Sequence, residues 1–554
     1  MPLRYPERFT RGANNLRVFA SIRGCLLAFL TASQVLPVAF PQTLNAALEH
    51  AERGRQAIGR GEVKTAEAEL REAVRLAPQD VGYLALLGVV LGMQQKLQES
   101  DTYLEKALRL DPADSATRRN LGWNQFQLGE LQSAKTNLER VLKQKPDDAQ
   151  ATLVLGMVEE ELKDYRTAVR LLGTIPDQVR QRPESLAALA RAYYYTGKQE
   201  QARETFKELQ FHSAGPEGVF LGGQVAAELR DFESAESLFS SIWAAYPDTA
   251  KLGYNLALVQ YRAGRFPQSV EALQRVIAGG HETSEICNLL AWCLYKQDDF
   301  RSAAAMLDKA IALDPSDESN YLDGGMMLLD HHLYEAALTA AEKALEVAPD
   351  SYRGHRLKAL VEIKLGRVND AERLYKRAVE LKPTDAQAIT GLATAQLDKG
   401  NAYEAENTLR KAIDRLPREA LLYQAYGSML LWGEGANNPE SEARGVELLR
   451  KAVALDGSLA EAHYQLGKLA LREDRIREAQ QELEAAVKLD PNSSKNHYGL
   501  AQVYRKLDRA SDAAHEVERF QALKAREERA FTNISAVGGE TKAPQSAPEQ
   551  PKPK

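Results

Sequence analysis

The residue types that carry out chemistry are few in this sequence, and their spacing works against it. His331 and His332 are adjacent. Neighbouring imidazoles converge on one metal ion only awkwardly, and no cysteine or carboxylate set accompanies the pair, so no metal site is expected there. Gly197-Lys198-Gln199 has the glycine-lysine step of a phosphate-binding loop, but it lacks the earlier glycine and the hydroxyl residue that would hold magnesium. Cys287 and Cys293 are six residues apart; on one helix that is a rise of about 9 Å and a rotation of about 120°. They cannot bridge each other. The three cysteines of the chain supply no disulfide framework, and buried packing as small hydrophobes is the expectation for this pair. No catalytic, metal-binding or cofactor-binding residue is assigned.

The composition excludes further classes. Among 554 residues, 71 are basic and 77 acidic, for a net charge of -6. This lacks the basic excess of a broad phosphate-neutralising surface, so nucleic acid is not expected as a partner. The first 24 residues carry Arg4, Arg8, Arg11, Arg17 and Arg23 against Glu7, and an uncharged apolar stretch from Cys25 to Phe40 follows. That order is the one an export signal uses, and the stretch falls short of the roughly 20 residues of a membrane-spanning helix. Residues 1–40 are therefore expected to direct export to the periplasm or cell envelope, with Thr31-Ala32-Ser33 as a cleavage site. An uncleaved inner-membrane anchor over residues 25–40, an Arg-rich organelle transit segment and a misassigned start codon stay open as readings. Gly24-Cys25 is not a lipoprotein junction, because the apolar run follows the cysteine rather than preceding it.

The elements that position every other side chain announce themselves as a repeat. Prolines 78, 112 and 146 are 34 apart, and so are prolines 315, 349, 383 and 417. Setting these prolines at position 32 starts fourteen repeats, at residues 47, 81, 115, 149, 183, 216, 250, 284, 318, 352, 386, 420, 460 and 494. Two helices that pack closely need small side chains where they cross. Position 8 is Gly or Ala throughout, as in Gly54, Gly88, Gly122 and Ala190. Position 20 is Ala, Ser or Gly throughout, as in Ala66, Ser100, Ala134 and Gly445. A break near position 15 (Gly61, Gly129, Gly197, Gly264, Gly366, Gly400) separates two apolar helices, and the proline ends the second. Two residues later Asp80, Asp114, Asp148, Thr249, Asp317, Ser351 and Asp385 stand where an N-cap is needed.

Leu121-Gly122, Ala134, Leu138 and Pro146 show a pattern that resembles the tetratricopeptide repeat family, in whose units a small residue at 8, alanine at 20, an apolar residue at 24 and proline at 32 recur. The resemblance spans residues 47 to about 525. It implies an all-α fold: a right-handed superhelical solenoid of about fourteen helix-turn-helix repeats over residues 47–530, closed by a helical carboxyl-terminal cap. A disordered, proline-rich tail is expected over residues 532–554. The fourth repeat carries Pro176 in place of a position 32 proline, and the twelfth exceeds the period by six residues, with an exposed loop expected around Trp432 to Ser441.

The resemblance also implies where a ligand is read. In the family, positions 2, 5, 9, 12 and 13 of first helices face a concave groove. Here those positions hold Trp123, Phe220, Tyr254, Tyr261, Trp292, Tyr295 and Met326, with Arg119, Arg191, Lys251 and Arg356 among them. Aromatic residues and arginine are the usual anchors of interfaces, although aromatic stripes at helical spacing also serve as core. The lysine and asparagine set of the co-chaperone carboxylate clamp is absent from every run of three repeats. The reading that follows is a non-catalytic adaptor or assembly scaffold whose groove, over repeats three to eight, holds an extended or helical protein segment. A guiding component for an exported polysaccharide, and a regulatory subunit of a separate catalytic chain, are the alternatives. Membrane contact is expected only through the amino-terminal segment, if it is retained.

Overall fold

The computed structural model describes residues 42–212, 215–432 and 438–537, and among them the chain forms twenty-nine α-helices and no strand. The helices divide into two compact units, one ending at Gly280 and one beginning at His281, which hold repeats one to seven and eight to fourteen. The export segment of residues 1–40 lies outside the described residues.

Within each repeat the two helices cross where the small residues stand. A Cβ added to Gly54 would sit 2.8 Å from Leu70, one at Gly88 2.6 Å from Leu104, one at Gly122 2.9 Å from Leu138, and one at Gly467 2.6 Å from Leu483. Position 8 is small because the leucine at position 24 of the returning helix lies directly on it. Ala66, Ala134, Ala303 and Ala479, at position 20, are fully buried on the opposite side of the same crossing. The second helix of one repeat then packs against the first of the next. Ala134, Leu138 and Val141 from repeat three share a core with Ala151, Val154, Leu155 and Val158 from repeat four. In the other unit Ala405, Leu409 and Ala412 do the same with Leu422 and Tyr426.

The turn between the helices has one conformation. Position 15 has positive φ in all thirteen repeats where it is described, held by glycine in six and by Gln95, Lys163, Arg230, Asp298, His332, Asp474 and Asp508 in the others. The junction between repeats is also regular. The Asp80, Asp114, Asp148, Asp317 and Ser351 side chains accept from backbone amides of the helices they precede. Thr249 does not cap: Asp248 does, accepting from the Lys251 amide at 2.9 Å, and Thr249 becomes the first helical residue. The position 32 carbonyl accepts from the side chain six residues on, from Arg118 to Pro112 (2.6 Å), Tyr321 to Pro315 (3.2 Å) and Tyr423 to Pro417 (3.1 Å).

The fourth repeat departs where its proline does. Its second helix shortens to Tyr165–Leu172, and Pro176 opens a five-residue helix, Pro176–Arg180, before Pro183 starts repeat five. In repeat twelve the helices reach Trp432 and resume at Pro439, so the expected loop narrows to the interval whose residues 433–437 lie outside the described set. The last helix, Ala510–Val537, extends past the expected tail boundary at 532; no proline occurs until Pro544, and Gly538-Gly539 is the first breaker. At the other end, Glu49, Arg53, Gln56 and Arg60 are exposed on the first helix, at the positions that in repeat two hold Tyr83, Leu87, Val90 and Gln94. Three of those four are buried apolar residues, so repeat one presents a polar outer side, as an array needs at its end.

Candidate functional site

In the amino-terminal unit, Trp123 lies on the first helix of repeat three, Ser115–Leu128. Its indole is half-buried and packs on the core shared by repeats three and four. Phe126 lies 5.9 Å away, and the Arg182 guanidinium is 5.5 Å from the indole centroid. Arg119, one turn earlier, donates to Asp148 Oδ2 at 2.7 Å, while Asp148 Oδ1 accepts from the Ala151 amide at 2.9 Å. Asp148 thus serves as cap and as counter-ion at once. Arg191 bridges Glu160 and Glu228, each at 3.0 Å, and so joins repeats four, five and six. Burial pushes the Glu160 carboxyl upward against the pull of that guanidinium.

Phe220 does not belong to an open face. It is 4% exposed, stacked on Tyr246 at 4.6 Å and packed against Phe239 at 5.3 Å, with the Lys251 ammonium 5.1 Å away. The ring packs on Phe239 and Tyr246 of its own repeat six, with Lys251 arriving from repeat seven. Tyr254 is half-buried, and Tyr261 packs on Phe266 at 5.5 Å. An aromatic pair outside the set named from the sequence is more open: Tyr195, at groove position 13 of repeat five, is 52% exposed and stacks on Tyr165 at 4.5 Å.

In the carboxyl-terminal unit, Trp292 is buried, on the first helix of repeat eight, Ser284–Tyr295. Around it runs a polar network that nothing in the residue spacing signalled. Asn288 Nδ2 donates to Asn320 Oδ1 at 3.0 Å and to Asp323 Oδ2 at 3.1 Å, and Asn320 Nδ2 donates to Ser284 Oγ at 2.8 Å. Burial pushes the Asp323 carboxyl upward, while the hydrogen bond from the Asn288 amide pulls the other way; the Trp292 Nε1 is buried without a hydrogen-bond partner among the described residues. Tyr295 meets Trp292 edge-on at 5.7 Å and donates to Asp330 at 2.9 Å. Met326 is partly open. Arg356 donates to both oxygens of Asp385, at 3.0 and 2.8 Å, and Asp385 makes no side-chain cap bond at its own helix. Arg119 and Arg356 are thus one device used twice: arginine at position 5, its aspartate 29 residues on.

The other chemical candidates resolve into structure. His331 is packed by Phe300 at 4.1 Å, and burial lowers its pKa; His332 occupies the positive-φ turn and meets the Tyr334 hydroxyl at 2.8 Å. Gly197 is the same kind of turn residue, and Lys198 lies 5.7 Å from the Tyr193 ring. Cys287 and Cys293 are buried free thiols. Among the described residues no group of three or more His, Cys, Asp or Glu side chains is placed to hold a metal ion, and no helix is long and apolar enough to cross a membrane.

Comparison with known proteins gives the same architecture a family. Tetratricopeptide repeat models match residues 52–115, 254–318, 322–386 and 444–525, and, with a second model, 93–158 and 362–428, together more than half of the chain. A Dictyostelium discoideum relative, "Protein STIP1 homolog", is 28% identical over 155 residues, 26% of this chain and 27% of the relative. "Cellulose synthase 1 operon protein C" of Komagataeibacter xylinus is 22% identical over 219 residues, 37% of this chain and 16% of that protein. Each match thus spans less than a third of the relative's length. Among solved structures, yeast Tom70 aligns over 90% of this chain and 99% of its own, at 17% identity and a TM-score of 0.41.

Proposed function

The chain belongs to the tetratricopeptide repeat family, and from that premise we propose that it is a non-catalytic adaptor or assembly scaffold that holds a segment of a partner protein against its first helices. The observation that carries this reading is Trp123. Its helix buries Leu121, Asn124 and Gln125 on either side, yet leaves the largest side chain of the helix only partly buried at a groove position. A rigid aromatic surface that the fold does not use up is the usual anchor of a protein interface. Export to the periplasm or cell envelope is part of the proposal and rests on the basic and apolar order of residues 1–40.

The test is crosslinking in the source cell, capture through a carboxyl-terminal tag, and identification of both the bound proteins and the mature amino terminus. A discrete partner that is lost with Trp123→Ala, while helicity stays normal and the variant remains fully folded at the assay temperature, is the expected result. Unchanged capture by that variant sinks the groove reading, a retained Met1 sinks cleavage of the export segment, and a coeluting activity that requires this chain alone sinks the non-catalytic claim.

A second reading, a guide for an exported polysaccharide, is favoured by the open Tyr195 ring stacked on Tyr165, since flat aromatic surfaces suit sugar rings, and by the likeness to the cellulose synthase operon protein. Retardation of the chain by a neutral glycan in native gels, abolished by Tyr195→Ala, would support it.

A further inference from the structure

Four arginines stand on or beside the first-helix positions discussed above, and three are neutralised. Arg119 has Asp148, Arg191 has Glu160 and Glu228, and Arg356 has Asp385. Arg182 differs. It is the residue before Pro183, which opens the first helix of repeat five, and it is half-buried. No carboxylate of the described residues forms an ion pair with it. Its polar contact is neutral and long, Nη2 to the Gln150 carboxamide oxygen at 3.4 Å. The acidic group that bears on it, Glu184, is itself exposed to solvent. Burial accordingly disfavours the charged form and lowers the pKa of this guanidinium.

Removing a guanidinium from water without a counter-ion costs free energy that neither a cation–π contact nor a long amide bond fully returns. The same group is well suited to a ligand that brings the missing charge, since arginine and carboxylate form short, charge-assisted and often paired hydrogen bonds. Repeats three and four and the junction to repeat five converge here: Trp123 from repeat three, Gln150 from the start of repeat four and Arg182 from its last position, just before repeat five. The aromatic surface, the neutral hydrogen-bonding amide and the uncompensated cation lie side by side.

We propose that Trp123, Gln150 and Arg182 form an anchor point for an acidic peptide segment, one that sets an Asp or Glu carboxylate on the guanidinium and an adjacent apolar side chain on the indole. The inference rests on the adaptor reading and deepens it by naming the partner's chemistry. A peptide is favoured over a phosphate polymer by charge: Glu184 acts on Arg182, Asp147 and Asp148 lie within three residues of Gln150 in the chain, and the chain as a whole is acidic. A single carboxylate between apolar neighbours fits where a continuous run of phosphates would meet those acids.

The test is selection of a displayed library of random dodecapeptides on the full-length chain, on Arg182→Gln and on Trp123→Ala. The wild type is expected to enrich peptides with Asp or Glu next to an apolar or aromatic residue. The best of these, made synthetically, should bind Arg182→Gln about 10- to 100-fold more weakly, the scale of lost charge-assisted hydrogen bonds. Their Asn or Gln isosteres should bind both proteins equally weakly. Arg182→Gln should melt no lower than the wild type, because it removes an unpaired, partly buried charge. A selection without acidic enrichment, equal affinity of the variant, or a clear fall in its melting temperature overturns the proposal. Displacement of the selected peptides by an oligogalacturonate at lower concentration than by free peptide would assign the point to an acidic glycan and also overturn it. Capture of a cellular partner that depends on Trp123 but not on Arg182 overturns this inference alone, whereas independence from both overturns the adaptor reading with it.

Discussion

Trp123 and Trp292 occupy the same ninth position of a first helix, in repeats three and eight, and the two regions use them oppositely. Trp292 is 9% exposed and has the buried Asn288, Asn320 and Asp323 network around it. Trp123 is half-buried and lies beneath Arg182, which has no ion pair among the described residues and whose polar contact is the neutral Gln150. Register sends both indoles toward the same side of their helix, but the neighbouring repeat decides whether one becomes core or surface. Repeat nine supplies Asp323 against Trp292. Repeat four, at its junction with repeat five, brings a cation over Trp123 and leaves part of the ring open.

The comparison breaks most directly if the two tryptophans cost the same to remove. Trp292→Ala should lower the local unfolding free energy of repeats eight and nine by about 3–5 kcal/mol, as for a buried aromatic, and Trp123→Ala by about 1–2 kcal/mol. Hydrogen exchange on helices Ser284–Tyr295 and Ser115–Leu128 measures both. Equal losses would mean that Trp123 is core as well.

The polar network sharpens the contrast at a smaller scale. Asn288→Ala strips Asn320 Oδ1 and Asp323 Oδ2 of a donor in a dry setting and should cost about 1–3 kcal/mol. A double-mutant cycle with Asp323→Asn should show coupling, and strict additivity would show that the two groups do not form one network.

A pH series tests the polar neighbourhoods themselves. Beside Trp123, Asn124 donates to Asp101 at 2.8 Å, and burial pushes the Asp101 carboxyl up to about 6. Its folded pKa thus lies above the unfolded value of about 3.9, so the fold holds a proton that the unfolded chain releases. Its contribution to stability is complete below about pH 4 and is lost as the pH rises to about 6. Asp101→Asn should flatten urea-denaturation stability across that window, and Asp323, raised in the same direction, predicts a parallel effect in the other unit. An unchanged slope for Asp101→Asn would remove the residue from the account.

The smallest effect tests what the two regions share. Lys163→Gly relieves a left-handed residue at the helix turn and should gain about 0.5–1 kcal/mol, while Gly129→Ala, at the equivalent turn, should lose a similar amount. Thermal denaturation of both variants decides it, and a loss with Lys163→Gly would show that its side chain contributes more than the turn costs.

The fold was legible from particular residues. Prolines 34 apart fixed the period, and the small residues at positions 8 and 20 marked the crossings that Leu70, Leu104 and Leu138 now close. The turn at position 15 was legible only in part: glycine marks it in six repeats, whereas Gln95 or Lys163 carries no local sign that its φ is positive. Thr249 was a plausible cap by spacing, but the carboxylate one residue earlier reaches the same row of amides. The candidate site was less legible. Phe220 looked like a groove residue until Tyr246 and Phe239 closed over it. Arg119 and Arg356 looked like basic rim contacts, although an aspartate 29 residues after each was a signal that could have paired them. Arg182 was missed because it lies before its helix rather than on the positions that face a groove.

By itself the sequence determined the helix pairs, their period, their crossing points and most of their caps. Each of these depends on backbone rules within a few residues, or on a side-chain size that must recur every period. Only the tertiary structure decided which aromatic rings stay open and which arginines keep an unanswered charge. Those properties belong to side chains of adjacent repeats, about 30 residues apart in the chain, and burial and ion pairing are settled by what arrives at the same place, not by what stands next in sequence.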